Sequence, residues 1–255
     1  MNNIIAGKDA RVIVGGYDLT GDHNRITFAD ARSAHDLTEF GDEVQRFILG
    51  RRNTTLTHEG YFNPSIGRSH PILKDMSVDG VVSVLLEEQG IVYSLPVRQT
   101  RYQSMPRAGG YVPFTGVFTT RGEPGGWGQL LKSPESFTNG FAGSVIDLLS
   151  VQSSIWGNTV WGSAAVWGGD EFAVFLHVLT PAASDTYTFT VEGSTTGSFS
   201  GEQMTVATFN LDGQQAKSEN LTLADTLPRY VRARATRTGT VGDTASVLMS
   251  LARTR

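Results

Sequence analysis

The chain has no cysteine, little charge and no long apolar run. Without cysteine there is no disulfide framework, no thiolate zinc site and no thiol nucleophile. Charged residues make up 18% of its 255 positions, below the usual share for soluble domains. The 21 basic and 25 acidic side chains leave a formal charge of −4, which argues against a protein that coats DNA with a basic surface. The apolar run at 81–86 (VVSVLL) is far too short to span a bilayer, and residues 1–10 (MNNIIAGKDA) lack a basic stretch followed by an apolar one. A soluble chain with no membrane insertion and no secretion signal is expected. A sustained 3.6-residue period is also missing, and 29 Gly with 9 Pro interrupt the chain too often for long helices.

Period-two alternation is present instead, in short runs separated by Gly, Pro, Asn and Asp. In 186–192 (TYTFTVE), Tyr187, Phe189 and Val191 share one face of a half-buried strand. Residues 172–179 (FAVFLHVL) are apolar on both faces, as in a strand covered on two sides or facing another subunit. Further strands are expected at 12–14, 26–28, 44–49, 54–62, 81–86, 91–95, 112–118, 230–237 and 247–251. Pro96 and Pro113 each remove a ladder donor and predict an edge or a bend. Only 69–76 and 145–149 carry helix signals, the first through Ser69 and Pro71. The fold class is therefore all-β.

Composition shifts near residue 133. Residues 1–133 hold 14 basic and 14 acidic side chains, whereas 134–255 hold 7 and 11. The stretch 133–143 (SPESFTNGFAG) has little periodicity and suits a linker. Two β domains in series are expected, at 1–133 and 145–255, joined by 134–144.

Catalytic and metal-binding patterns are sparse. No two of His23, His35, His58, His70 and His177 have the spacing of a familiar ligand pair. His58 is expected at a surface or subunit contact, and His177 in a core or interface. The glycine-rich 125–128 before Lys132 has Leu131 where a phosphate loop needs Gly, and the group Asp18, Asp22 and Asn24 fails the EF-hand pattern. There is no Gly-x-Ser-x-Gly elbow. Arg229, Arg232, Arg234 and Arg237 form a basic strand edge, and a solvated or salt-bridged face is expected there. No enzyme, no cofactor and no metal site is expected. Trp156, Trp161 and Trp167 are each followed by Gly and fall within twelve residues. Packing in a core is the plainer reading. An exposed surface stacking on sugar rings is the alternative, making the chain a carbohydrate-binding two-domain β module.

The order of elements at 12–56 carries a resemblance. A strand is followed by GGYDLTGD at 15–22, another strand, AHDLTEF at 34–40, Gly41-Asp42, and a basic run ending in Gly50-Arg51-Arg52. This arrangement resembles the major tail tube proteins of long-tailed (siphovirus-type) bacteriophages, in which a TxFGD segment with downstream arginines belongs to a long hairpin. Thr38-Glu39-Phe40-Gly41-Asp42 matches that segment. The later strands resemble the β-sandwich appended to such proteins.

The resemblance implies a tail-tube-type β-sandwich or barrel with a long stacking hairpin and one short helix, followed by an Ig-like or jelly-roll-like sandwich. It implies an inter-ring hairpin at 34–52 using Asp36, Glu39, Phe40, Asp42, Glu43, Arg46, Arg51 and Arg52. The implied role is a virion structural protein, made in the host cytoplasm and polymerising as stacked, hexameric rings into a channel for DNA ejection. Its implied partners are copies of itself, the tail terminator, tape measure and baseplate proteins, and duplex DNA in non-specific passage. A terminal or baseplate ring of the same fold fits the same residues.

Overall fold

The computed structural model describes residues 10–40, 42–74, 79–86, 90–106, 108–123, 125–151, 166–167, 172–180, 186–211, 217–223, 227–239 and 244–254. The elements begin with β1 (Ala10–Val14), β2 (Tyr17–Asp18), β3 (His23–Asp36), β4 (Phe47–Tyr61) and α1 (Ser69–Leu73). Next come β5 (Asp79–Leu86), β6 (Ile91–Ser104), β7 (Pro113–Thr120), β8 (Gly126–Lys132), β9 (Ser136–Phe137), β10 (Phe141–Ala142), β11 (Ile146–Asp147) and α2 (Leu148–Val151). The remainder are β12 (Val166–Trp167), β13 (Phe172–Thr180), β14 (Thr186–Ser194), β15 (Met204–Leu211), β16 (Lys217–Thr222), β17 (Leu227–Pro228), β18 (Tyr230–Thr238) and β19 (Ala245–Arg253). Among the described residues the chain is all-β apart from two short α-helices and a 3-10 turn at Thr20–Asp22, as its alternation predicts.

Two compact units are present. Met1–Thr20, Gly80–Pro96 and Glu123–Arg255 form the first; Gly21–Asp79 and Val97–Gly122 form the second.

In the first unit the main sheet runs β16-β13-β19-β8-β6-β5-β1-β2. Successive strand residues face opposite sides, so β13 divides its side chains between two cores. Phe172, Val174, Leu176 and Val178, with Val247, Met249 and Leu251 of β19, pack on Tyr187, Phe189, Val191, Phe209, Val231 and Ala233 from the sheet β10-β18-β14-β15. That is a sandwich. On the opposite face Ala173 and Phe175 meet Val81 and Ala252, while Leu248 meets Ile13, Leu85 and Val92. The sheet therefore curls until β5 lies over β13, without closing into a barrel. The curl encloses a polar chain: His177 Nε2 lies 2.8 Å from Ser83 Oγ, Ser83 Oγ lies 2.7 Å from Ser94 Oγ, and Ser94 Oγ lies 3.0 Å from Ser250 Oγ.

This arrangement departs from a division at 1–133, 134–144 and 145–255. β19, the last strand, pairs with β8 from Met249↔Lys132 to Ala252↔Gly128. A strand that is apolar on both faces needs two covers, and β13 and β19 obtain them by serving both cores. The expected linker contains β9 and β10, which pair with β19 and β18, and Phe137 and Phe141 pack against the sandwich core. Its lack of periodicity reflects strands only two residues long.

The second unit contains β3, β4, β7, α1 and the end of β6. β4 pairs with β3 and with β7, and β7 pairs with β6 over Val97–Ser104. Before this, Ile91–Ser94 of β6 pair with β8. Pro96 sits where the partner changes, at a rung its missing N–H could not have made. His58 is fully buried, contrary to a surface placement. Its ring stacks on Phe118 at 4.6 Å between centroids, and its Nδ1 lies 2.7 Å from His23 Nε2. Gly116 opposite it has no alternative, because a Cβ there would lie 2.0 Å from His58 Nε2.

Burial lowers the pKa of His177 from 6.5 to about 3, and burial together with the His23 charge holds His58 well below its ordinary value. Each imidazole takes up a proton near pH 6.5 when unfolded but resists it when folded. Stability is therefore lost as pH falls below 6.5, by about 1.4 kcal/mol per pH unit per group. Most carboxylates remain ionised in both states above about pH 5, so the loss down to that point belongs to the histidines. Urea denaturation at pH 7 and pH 5 should show His177→Gln losing about 2 kcal/mol less than wild type over that interval.

Candidate functional site

The β3–β4 hairpin changes character along its length. Near its base Thr54, Leu56, His58 and Gly60 alternate inward, while from 29 to 36 on β3 every side chain is exposed. Register runs from His23↔Gly60 to Asp36↔Phe47, with irregularities between His23 and Arg25 and between Arg32 and Ala34. Beyond Thr54 the shaft extends seven residues to Phe47, roughly 25 Å of two-stranded ribbon.

At the end of the shaft the 37–46 turn is built by local polar bonds. Leu37 N donates to Arg46 O at 2.8 Å, Asp42 N to Glu39 O at 3.0 Å, and Glu39 N to Asp42 Oδ2 at 3.0 Å. Asp36 Oδ1 accepts the Thr38 backbone N–H at 2.8 Å and also its hydroxyl, and these bonds hold the Asp36 carboxyl below its usual range. Arg46 N donates to Thr38 Oγ1 at 3.1 Å, and the Arg46 guanidinium lies 3.8 Å from Asp42 Oδ1. This ordered turn carries Leu37, Phe40, Val44, Phe47 and Ile48 exposed to solvent, Phe40 completely.

The structure separates the residues expected in an inter-ring hairpin. Asp36, Glu39, Phe40, Asp42, Glu43 and Arg46 meet at the tip. Arg51 and Arg52 lie on the shaft within β4, and Arg52 pairs with Asp30 across the ladder. Burial raises the Asp30 pKa, but Arg52 and Thr54 outweigh it and hold Asp30 below its ordinary value. The hairpin is longer than 34–52 at both ends, and the expected strand 44–49 gives way to a turn through Arg46. Leu37, Val44, Phe47 and Ile48 are further surface residues of the tip. Their sequence signal is four apolar side chains in a charged segment with no alternating polar partner.

The other sequence candidates resolve differently. Trp156 and Trp161 lie outside the described residues. The backbone of Trp167 pairs with Leu227 in the β12–β17 ribbon, and its side chain lies outside the description. The arginines of β18 and its lead-in are engaged within the chain. Arg229 contacts Asp147 at 2.9 and 2.6 Å, and Arg232 and Arg234 share the buried Glu192 at 2.8 and 3.0 Å. Asp22 accepts Ser69 N–H at 2.8 Å and the Asn63 amide at 2.9 Å, so its role is to tie α1 to the hairpin base. Among the described residues no group of three or more His, Asp or Glu is placed to hold a metal ion. A cleft of about 500 Å³ is lined by Gln129, Lys132, Glu135, Phe141 and Ile146 among others. In it the Lys132 ammonium is taken up by Glu135 at 2.9 Å and lies over the Phe141 ring.

No protein-family model matches the chain, and no curated protein matches it in sequence. Among solved structures it is similar to a chain of the virion of a native gene transfer agent particle, at 13% identity and a TM-score of 0.39, covering 46% of this chain and 94% of that one. A chain of the anti-feeding prophage baseplate shows 13% identity and a TM-score of 0.38 over 50% of this chain and 97% of that one. The Dit (gp 19.1) protein of SPP1, described as a paradigm of the hub adsorption apparatus in phages infecting Gram-positive bacteria, shows 12% identity and a TM-score of 0.31 over 95% and 98%. At such scores these likenesses establish neither fold nor role.

The hairpin base depends on a close approach at Gly60, where a Cβ would lie 2.0 Å from the Asp22 carbonyl oxygen and 2.8 Å from the Phe114 ring. Gly60→Ala should destabilise the second unit by about 1–3 kcal/mol. Hydrogen exchange would show faster opening at 22–28 and 56–61.

Proposed function

We propose that the chain is a structural subunit of a phage-type tail, which forms rings with copies of itself and reaches the neighbouring ring with the β3–β4 hairpin. The observation that carries this reading is the tip itself: an ordered turn on a long exposed ribbon, presenting five apolar side chains to solvent. A two-stranded ribbon is marginal in water by itself, and an apolar end on one is costly unless something covers it. The TEFGD segment that resembles tail tube proteins falls on this turn.

In this reading the stacked rings, hexameric in the family it resembles, enclose a passage for duplex DNA. The net charge of −4 suits that role, because a basic lining would retain the polyanion through counterion release. Terminator, tape measure and baseplate proteins are the further partners, and a ring at the tail end or baseplate uses the same surfaces. The assembly residues are Asp36, Glu39, Phe40, Asp42, Glu43 and Arg46, joined by Leu37, Val44 and Phe47.

Replacing residues 37–46 by Asn-Gly keeps the strand register and removes the tip. Negative-stain electron microscopy should show stacked rings or rods of wild type and a folded variant that forms no stacks. Assemblies indistinguishable from wild type would refute the proposal.

A further inference from the structure

The tip has a counterpart at the opposite end of the same unit. Phe62 N donates to Val112 O at 2.8 Å, and Met105 N donates to Pro113 O at 3.1 Å, drawing the 105–113 loop against the end of β4. There the rings of Tyr61 and Tyr111 lie 5.2 Å apart, and both are exposed, as are Met105 and Ile66. Arg68 and Lys74 flank α1, and both are exposed; α1 is tied to the end of β4 by Ser69 Oγ donating to Tyr61 O at 3.1 Å and by His70 N donating to Asn63 O at 3.1 Å. Residues 60–74 contain no Asp or Glu, and neither do residues 97–120. Asp22 beneath α1 is buried and already bonded to Ser69 and Asn63.

The two ends thus differ in charge and agree in apolar character. Residues 36–46 carry four acids, Asp36, Glu39, Asp42 and Glu43, against one base, Arg46. Asp42 faces Arg46, whereas Glu39 and Glu43 are exposed and make no ion pair among the described residues. About 45 Å of strand separates Phe47 from Tyr61, so the tip of a copy cannot fold back onto its own base.

We infer that the base surface formed by Tyr61, Ile66, Tyr111, Arg68 and Lys74 receives the hairpin tip of a second copy of this chain. Phe40 and Val44 pack on the paired tyrosines, while Glu39 and Glu43 face Arg68 and Lys74. The contact is heterologous, since one end of each copy meets the other end of the next, and it propagates instead of stopping at a dimer. The inference rests on the reading of the hairpin as an assembly element and names what that hairpin meets.

Charge exchange tests it. E39K/E43K leaves both ends basic, and R68E/K74E leaves both ends acidic. Each variant alone should sediment as nothing larger than a single ring at concentrations where wild type forms longer assemblies. An equimolar mixture should recover assemblies, because each variant's tip then matches the other's base. Thermal melting and circular dichroism matched to wild type establish that each is folded. If a reversed variant melts early, E39Q/E43Q and R68Q/K74Q replace it, and the salt dependence of assembly should flatten. Wild-type-like assembly by R68E/K74E, or failure of two folded variants to rescue one another, would overturn the receiving surface. The hairpin reading would survive that result if the variant lacking 37–46 still failed to assemble. A wild-type chain that never associates would sink both.

Discussion

The β13–β19 ladder is the constraint on which the first unit depends. Its rungs run from Phe172↔Arg253 to Thr180↔Ser246, and both strands are buried on both faces. A ribbon with no solvated side must be covered twice. The β14–β18 sheet supplies one cover, and β5, with β1 and β6, supplies the other. Chain order yields to this requirement: the C-terminal strand fills a gap beside β8, and Ser94 meets Ser250 across 156 residues. So non-local a closure implies slow folding compared with a chain of local hairpins. The buried His177–Ser83–Ser94–Ser250 chain adds register, since the three hydroxyls meet their partners only at this alignment of β5, β6, β13 and β19.

The second unit solves a different problem. Its hairpin base is held by alternating burial, by His58 between Phe118 and His23, and by the Asp22 bonds to α1. Its distal half buries almost nothing, so cross-strand pairs such as Arg52–Asp30 and the turn bonds around Asp36, Thr38 and Asp42 supply the order there. The same unit thus carries an acidic, apolar tip at one end of its ribbon and exposed aromatic and basic side chains at the other.

Much of this was legible residue by residue. Alternation placed the cores of β1, β3, β5, β7, β14, β18 and β19, an apolar run on both faces placed β13, and the edge or bend expected at Pro96 is the point where β6 changes partner. β8 was hidden because Gly126-Trp127-Gly128 reads as a loop until β19 lies against it. His58 reads as a surface residue because its cover, Phe118 and His23, comes from strands 60 and 35 residues away. The hairpin tip was legible through its charge and through the TEFGD segment. Val44, Phe47 and Ile48 read as part of a strand, and their exposure with that of Leu37 is not legible, since a sequence pattern does not say which apolar side chains remain uncovered.

Local chemistry alone therefore determined the β class, the short helices, the lack of recognisable catalytic motifs and the acidic character of the tip. These depend on residue type and on neighbours one or two positions away. Tertiary structure alone decided that β13 and β19 belong to two cores, that the chain divides by interleaved segments, and that Tyr61 and Tyr111 share one end of the hairpin unit. Each of those turns on which distant strand supplies the second face or the missing hydrogen bonds, and the period-two code is silent about partners.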